Sequence, residues 1–421
     1  MVSVDELPFK FVEGEGFKYF CLKSCPQFKI SSRWSVSRDC FKFYEDEKKF
    51  LMTLLKSANQ RVCLTRDTWT SCQKVNYMCL TAHYIDNDWK LNKKIINFCP
   101  ISSHKGIDIG LEIEKCLHDW GINRVLTITV DNASSNNTAL VYLKRTIRQW
   151  GESVGNCDYM HMRCIAHIFN LVVQKGLKEI GPSAKKIRNA VRIIRHSSTR
   201  LGKFKECCEL EKISSKSMLC LDVATRWNST FFMLEAATTF EKAFYRYELI
   251  DSSYKKDLEV RHKDLEVDDD EDEDVDGDRV HGVPKEEDWR KAKLMLNFLR
   301  IFYEATNRIS GSLYVTSNLF LHEIYKVHAL LKAFIEGDFE LSIMAKKMKE
   351  KIDKYWGNPR KMNKLIFMAA VVDPRYKLKL VKLVLAQMYD EELANSFGNE
   401  VEAELVNMCG DYKQPIVQQN V

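Results

Sequence analysis

Two aspartates lie where predicted buried strands give way to polar segments. Asp67 stands near the end of the strand RVCLTRDTWT, and Asp131 directly follows the apolar run RVLTITV. If these strands are neighbours in one sheet, the two carboxylates repel each other unless a cation lies between them. Oxygen ligands suit Mg²⁺ or Mn²⁺, and two such ions about 4 Å apart support phosphodiester cleavage. The alternative is that both acids are strand-end or helix-capping residues.

The elements around these acids follow the order βββαβαβα. The segments RVCLTRDTWT, NYMCLTAHYID and WKLNKKIINF are rich in Val, Ile, Thr and aromatic residues and predict three strands. DIGLEIEKCLHDWG predicts a helix, and RVLTITVDNAS predicts the fourth strand. A helix over about 136–150, the short strand MHMRCIA and the helix AHIFNLVVQKGLKEI follow. This order is that of an RNase H-like sheet, in which the first and fourth strands are neighbours.

The predicted fold class is α/β plus α, an RNase H-like mixed sheet interrupted by a large helical insertion. Residues 1–60 form a helical N-terminal segment, and residues 61–180 form the RNase H-like core. Residues 181–254 begin the helical insertion, and 255–286 form an acidic disordered loop. A helical region over 287–421 completes the chain.

The charge is unevenly distributed. Residues 264–288 hold 14 acidic and 2 basic residues, a net charge of −12, so the remaining residues carry +18 of the chain's total of +6. The positive charge of these remaining residues suggests nucleic acid as a partner. The alternative is that the charge only keeps the surface soluble. No apolar run approaches the roughly 20 residues of a membrane helix. The 14 cysteines form no CxxC pair, which favours reduced thiols in a cytosolic or nuclear protein.

The segment AKKIRNAVRIIRHSSTRLGKFK predicts an amphipathic helix with an arginine row. Its apolar stripe consists of Ile187, Val191 and Ile194. Arg188, Arg192 and Arg195 lie one step round at the same spacing. With the stripe docked on a core, the row faces outward and can contact phosphates without reading sequence. The alternative is an ordinary solvated face.

Five motifs occur in an order that resembles the catalytic region of hAT-superfamily transposases. They are LTRDTWTS, ITVDNASSN, MRCIAHIFNLVV, LDVATRWNSTFFML and MAAVVDPRYKLKL. The chain also resembles the plant domesticated relatives of the RICESLEEPER type, over about residues 4 to 415. The resemblance implies double-stranded DNA as the partner, a nuclear location and no membrane association.

The resemblance also implies residue roles. Asp67 and Asp131 match the first two metal-binding acids. Arg226 and Trp227 match a pair tied to DNA cleavage, in which the tryptophan stacks on a flipped base. The alternative for Trp227 is a core position at a helix start.

A CxxH element of the family is matched by Cys164 and His167. Together with His161 they have the spacing of a partial metal site. We do not expect zinc there, because a complete site needs a fourth ligand or an open position. A buried thiol and a hydrogen-bonded imidazole are the preferred interpretation.

The third catalytic acid of the family is a glutamate in an SExxFS-like segment, which this sequence does not contain. Glu304, Glu323 and Glu400 lack its flanking motif, and we interpret them as solvated helix faces. A BED zinc finger and the C-terminal dimerisation segment are also expected to be missing. The second metal then loses a ligand, so we expect little or no strand cleavage. One alternative is a fragment of an active transposase that borrows the glutamate from a longer paralogue. Another is an interaction module that does not touch DNA.

Overall fold

The computed structural model describes residues 1–57, 61–151, 153–215, 217–223, 226–259, 282–311, 314–337 and 340–413. The chain divides into two compact units. The first holds residues 1–129 and 133–161, and the second holds residues 130–132 and the chain from Met162 onward. The strands belong largely to the first unit, and the second is helical.

The first part of the chain carries four helices and five strands among its described residues. They are α1 (Glu15–Ser24), α2 (Arg33–Ser57), β1 (Val62–Thr70), β2 (Asn76–Ile85), β3 (Leu91–Pro100), α3 (Gly106–Trp120), β4 (Val125–Val130), α4 (Ser134–Gln149) and β5 (His161–Arg163). From β1 onward this is the predicted order, and the expected helical character of residues 1–60 is confirmed where the chain is described.

The sheet has the strand order β3-β2-β1-β4-β5. β1 pairs antiparallel with β2, and β2 pairs antiparallel with β3. β1 pairs parallel with β4, in a register that sets Leu64 against Ile128 and Thr65 against Thr129. The prediction that the first and fourth strands are neighbours is therefore confirmed, and with the helical second unit this is the expected RNase H-like architecture.

α3 covers the sheet and fixes α4 beside it. Ile113 and Leu117 of α3 are buried, and the Trp120 indole donates a hydrogen bond of 2.7 Å to the Ile96 carbonyl of β3. Gly106 allows the close approach of α4, because a Cβ at this position would collide with the Ser135 carbonyl. This packing holds the start of α4, and hence the turn after β4, in one place.

The second unit is built from the remaining helices. They are α5 (Ile165–Leu177), α6 (Gly181–Arg195), α7 (Ser198–Leu210), α8 (Trp227–Thr239), α9 (Glu241–Ile250), α10 (Ser252–Glu259), α11 (Glu286–Ile309), α12 (Phe320–Glu336), α13 (Ser342–Trp356), α14 (Leu365–Val372), α15 (Lys377–Met388) and α16 (Glu391–Lys413). None of the helices in the described ranges is long and apolar enough to cross a membrane.

The predicted acidic loop over 255–286 needs a correction at its start. Residues 255–259 belong to α10, which is anchored by the buried Tyr254 and Leu258. Residues 260–281, which hold most of the acidic run, lie outside the described residues. The helical structure therefore continues to Glu259, further than the charge pattern predicts, because apolar side chains of α10 are buried.

The buried carboxylate of Asp288 ties the start of α11 to α6. It accepts a hydrogen bond of 2.7 Å from the Ser183 hydroxyl and lies 3.0 Å from the Lys186 ammonium. It also accepts the Lys285 backbone N–H at 2.9 Å. α11 and α6 are thus joined by a satisfied buried charge, the condition under which a buried carboxylate is tolerated.

Candidate nucleic-acid site

Asp67 lies on the exposed side of β1. Burial alternates along the strand, with Val62, Leu64 and Arg66 buried and Asp67 exposed. The Asp67 carboxylate accepts the backbone N–H of Thr68 at 2.9 Å. This period of two is the reason that a carboxylate can stand in a strand whose alternate side chains form the core.

Asp131 directly follows β4 and is half-buried. The printed register of the parallel pair ends at Thr65 and Thr129. Asp67 lies two residues beyond the first, and Asp131 lies two residues beyond the second. Asp67 thus lies inside β1, just beyond its pairing with β4, and Asp131 directly follows β4; a shared cation stays a prediction. No group of three or more His, Cys, Asp or Glu suited to a metal ion occurs among the described residues.

Arg66, which the sequence analysis did not single out, precedes Asp67 in β1 and is buried. Its buried guanidinium donates hydrogen bonds to the Asn136 side-chain oxygen and, at 2.9 Å, to the Thr68 hydroxyl. Asn136 is itself buried in the first turn of α4. The contact ties β1 to the helix that follows Asp131. The sequence does indicate that Arg66 is buried, because it follows the core residues Val62 and Leu64 at the strand period of two.

The predicted arginine row is wrong at Arg188. Its guanidinium forms an ion pair with Asp222, with Nη2 2.7 Å from Oδ2 and Nε 3.0 Å from Oδ1. The side chain of Asp222 is 2% exposed, and Thr230 donates a further hydrogen bond to it at 2.9 Å. Arg188 is therefore a structural cation that satisfies a buried carboxylate and is not available to a phosphate.

Arg192 and Arg195 keep the predicted outward orientation. Both are exposed on α6, while Ile187, Val191 and Ile194 are fully buried. Neither arginine forms an ion pair with a carboxylate within the described part of the chain. The row is thus reduced to two guanidinium groups about one helical turn apart.

Trp227 lies in the core, the position that was the alternative to its predicted base-stacking role. Its side chain is 3% exposed and packs edge-on against Phe231, with ring centroids 6.2 Å apart. Its backbone N–H donates to the Asn170 side chain at 3.3 Å, which ties the start of α8 to α5. The core alternative for Trp227 is therefore confirmed. Arg226, the residue before it, is exposed.

Cys164 begins α5 and supports the sheet through its backbone. It is the N-cap residue of the helix, and its N–H donates to the Val130 carbonyl at 2.8 Å. Cys164, His161 and His167 are all half-buried. No disulfide bond forms among the cysteines, all of which lie in described residues. The CxxH element thus stands at the start of a helix beside the end of β4.

The solvated-face interpretation of the three glutamates is wrong for Glu323. This residue is 2% exposed, and its carboxylate lies 3.0 Å from Arg308 and 3.2 Å from Lys326. Glu304 is half-exposed, and Glu400 lies at the surface beside Arg360. Glu323 is therefore a buried carboxylate balanced by two cations.

Three family models match the chain in succession. The ZBED1 RNase-like domain matches residues 65–159, and the ZBED1 RNase-like helical domain matches residues 162–268. The model of the hAT-like transposase, RNase-H fold, matches residues 318–412. Together they cover the sheet, the helical insertion and the C-terminal helices. The chain belongs to the hAT transposase-like family.

Its relatives include plant proteins and transposases. It is 30% identical to the zinc finger BED domain-containing protein RICESLEEPER 2 of Oryza sativa subsp. japonica, over 94% of this chain and 51% of that protein. It is 31% identical to the "Putative AC transposase" of Zea mays, over 93% of this chain and 46% of that protein. DAYSLEEPER of Arabidopsis thaliana is 29% identical over 93% of this chain and 52% of that protein. The chain spans about half the length of the curated relatives it matches.

Proposed function

We propose that this chain is a transposase-derived nuclear DNA-binding protein whose two-acid site does not cleave DNA by itself. The observation that carries the proposal is the pair Arg192 and Arg195, exposed on a helix whose opposite face is buried. Kinship with transposases and with zinc finger BED proteins supports double-stranded DNA as the partner. The nuclear location follows from that partner.

The proposed binding mode is contact with the phosphate backbone. Guanidinium groups one helical turn apart can each hold a phosphate through two parallel hydrogen bonds. Asp222 fixes the helix from which they project, because it holds Arg188 on the same helix. Contacts of this kind supply affinity without sequence choice, so we expect the chain to bind random duplex DNA.

We further propose that Asp67 and Asp131 can hold one Mg²⁺ or Mn²⁺ weakly. Their carboxylates are oxygen donors on β1 and just after the parallel neighbour β4, and Mg²⁺ retains several waters when few protein ligands are present. A bound ion of this kind supplies Lewis-acid stabilisation of a phosphodiester oxygen. The protein's own contribution is Arg66, which fixes β1 against α4 and so holds the turn after β4.

Salt-dependent DNA binding tests the phosphate contacts. We expect affinity for random duplex DNA to fall steeply with salt, and Arg192→Ala and Arg195→Ala each to reduce the slope of log K against log salt by about 0.9. Fluorescence anisotropy with a labelled duplex measures both quantities. Arg145→Ala, which removes an exposed arginine from α4, is the matched control. Affinity that does not change with salt, or equal losses in all three variants, would overturn the proposed interface.

A plasmid-nicking assay separates the proposal from its main alternative. The alternative is that the chain is a fragment of an active transposase, with the missing ligand supplied by a longer paralogue. We expect the purified chain to leave supercoiled plasmid intact in Mg²⁺ or Mn²⁺, because its described residues hold no group of three His, Cys, Asp or Glu that could support two metal ions. Metal-dependent nicking that Asp67→Asn abolishes, and that the exposed control Asp88→Asn retains, would establish the alternative.

A further inference from the structure

The second unit contains a cleft that the proposed DNA interface does not use. Its walls come from α12, α13 and α15, and Arg163 at the end of β5 lines one side. The cleft has a volume of about 610 Å³. This lies within the range of roughly 300–1,000 Å³ that small organic ligands occupy. The cleft can therefore accept a group of the size of one nucleotide, whereas a double helix is too wide to enter it.

The cleft carries an excess of positive charge. Arg163, Lys354 and Lys361 line it, and none of them pairs with a carboxylate within the described ranges. The single lining carboxylate, Asp353, is paired with Lys349 at 2.5 Å. These cations therefore present a net charge of about +3 to a ligand, which is the complement of phosphate groups.

The imidazole of His328 adds polarity to the cleft without adding charge. Burial lowers its pKa below the usual range, and the neighbouring ammonium of Lys349 lowers it further. At neutral pH the ring is therefore a neutral donor and acceptor, which suits the edge of a base.

The positive charge is concentrated around an aromatic ring. The Arg163 guanidinium lies 5.7 Å from the centroid of the Tyr355 ring, and the Lys354 ammonium lies 5.9 Å from it. These contacts orient both cations without neutralising them, since a ring carries no net charge. Tyr355 is half-buried, so part of its ring surface is open to the cleft. Cations beside an aromatic surface form the combination by which proteins hold unpaired nucleotides.

The floor of the cleft is rigid. The Tyr389 hydroxyl donates a hydrogen bond to the Trp356 carbonyl. Trp356 itself is 5% exposed and packs edge-on against Phe169 and Phe320. The end of α13, which carries Lys354 and Tyr355, is thus held in place before any ligand arrives. Pre-organisation of this kind reduces the entropic cost of binding.

The cleft continues into a second recess. This recess has a volume of about 270 Å³ and shares His328, Lys349, Met388 and Tyr389 with the cleft. Lys332 lines its far part, next to Glu336. The cavity is therefore longer than one compact ligand, which favours a strand over a free mononucleotide.

We propose that this cleft binds an unpaired nucleotide of a single DNA strand, with the phosphate at Arg163 and Lys361 and the base against Tyr355. The proposal rests on the proposed function for its choice of nucleic acid, and it adds a second site of different specificity. Duplex DNA meets the exposed arginines of α6, and an unpaired end enters the cleft. A hairpin end, a nick flap or a melted terminus would supply such a nucleotide.

The test compares two DNA substrates of equal length and charge, a blunt duplex and a duplex with an unpaired overhang. We expect the unmodified chain to bind the overhang substrate more tightly. Tyr355→Leu is expected to weaken overhang binding at least about fivefold, the lower end of what one base stack contributes, and to leave blunt-duplex binding unchanged. Tyr355→Phe keeps the ring and is expected to retain the preference.

The charge contribution is tested in parallel. The double variant Arg163→Ala/Lys361→Ala is expected to reduce overhang binding and its salt slope, whereas Lys346→Ala, which removes an exposed lysine of α13 outside the cleft, is the control. Titration with thymidine monophosphate tests whether the cleft binds a free nucleotide. Saturable binding of the monophosphate with no preference for the overhang would replace the strand by a free nucleotide as ligand.

The failure of this proposal is distinguishable from failure of the proposed function. Blunt-duplex binding with no overhang preference, or a preference that Tyr355→Leu leaves intact, overturns the cleft and keeps the duplex interface. Overhang binding with no blunt-duplex affinity keeps the cleft and overturns the interface at Arg192 and Arg195. Thermal unfolding of each variant shows whether a loss of binding reflects a loss of folded protein.

Discussion

Replacing Asp222 by alanine is expected to lower the free energy of unfolding of the helical unit by about 3–5 kcal/mol. The carboxylate is 2% exposed and is held by Arg188 and Thr230, so its removal leaves the Arg188 guanidinium half-buried without its counter-charge. Chemical denaturation followed by far-ultraviolet circular dichroism measures the change, since this unit is helical. Glu304→Ala, which removes a half-exposed acid 3.9 Å from Arg308, is the control and should cost at most about 1 kcal/mol.

The same ion pair predicts a dependence of stability on pH. Burial alone would raise the pKa of Asp222, but the hydrogen bond and charge of Arg188 outweigh burial and lower it below 3.8. A lowered folded-state pKa gives stability that is complete above the unfolded value and is lost as pH falls through the folded value. The difference between the unmodified chain and Asp222→Asn should therefore shrink as the pH falls below about 4. Two results would contradict the structural role of Arg188. One is a stability difference that grows on acidification, and the other is a loss of unfolding free energy below about 1 kcal/mol in Asp222→Ala.

The sheet could be predicted from the sequence because its signals are local. β1, β2 and β3 alternate or concentrate β-branched and aromatic residues, and β4 is almost continuously apolar. The strand order follows from the parallel pairing of β1 and β4 that an RNase H-like sheet requires. The placement of Asp67 on β1 and of Asp131 just after the neighbouring β4 follows from that order alone.

The ion pairs could not be predicted because they join residues far apart in sequence. Arg188 and Asp222 are separated by 34 positions, and the pattern of α6 indicates only which residues face away from its apolar stripe. Glu323 has the same problem, because Arg308 lies on the preceding helix. A helix pattern distinguishes buried from exposed faces, but it does not reveal which boundary residue finds a buried counter-charge.

Arg66 and Trp227 show two different limits of motif reasoning. Arg66 follows the core positions of β1 at a spacing of two, so the sequence predicts that it is buried. Its partner Asn136 is 70 positions away and could not be predicted. Trp227 sits in a motif with a functional association, yet the local pattern TRWNSTFF fits a helix that begins with a buried aromatic residue. At Trp227 the packing of the first turn of α8 determines where the side chain lies, and the motif does not.

Replacing Trp227 by alanine is expected to lower the free energy of unfolding by about 3–5 kcal/mol, the cost of removing a large side chain from a packed core. The indole is 3% exposed and contacts Phe231, which in turn stacks on Tyr303 with ring centroids 5.1 Å apart. The lost contacts therefore loosen the packing of α8 against α11. Denaturant unfolding measures the loss, and DNA affinity is measured at a temperature at which the variant is still folded.

The control for Trp227 is Trp34, whose side chain is 77% exposed on α2, and Trp34→Ala should change the unfolding free energy by less than about 0.5 kcal/mol. A core role predicts that folded Trp227→Ala binds blunt duplex as tightly as the unmodified chain. A base-stacking role predicts the reverse, with little change in stability and a loss of DNA affinity. The second result would mean that α8 opens to release the indole when DNA binds, and it would support the base-stacking role of Trp227, which is buried here, beside the exposed Arg226.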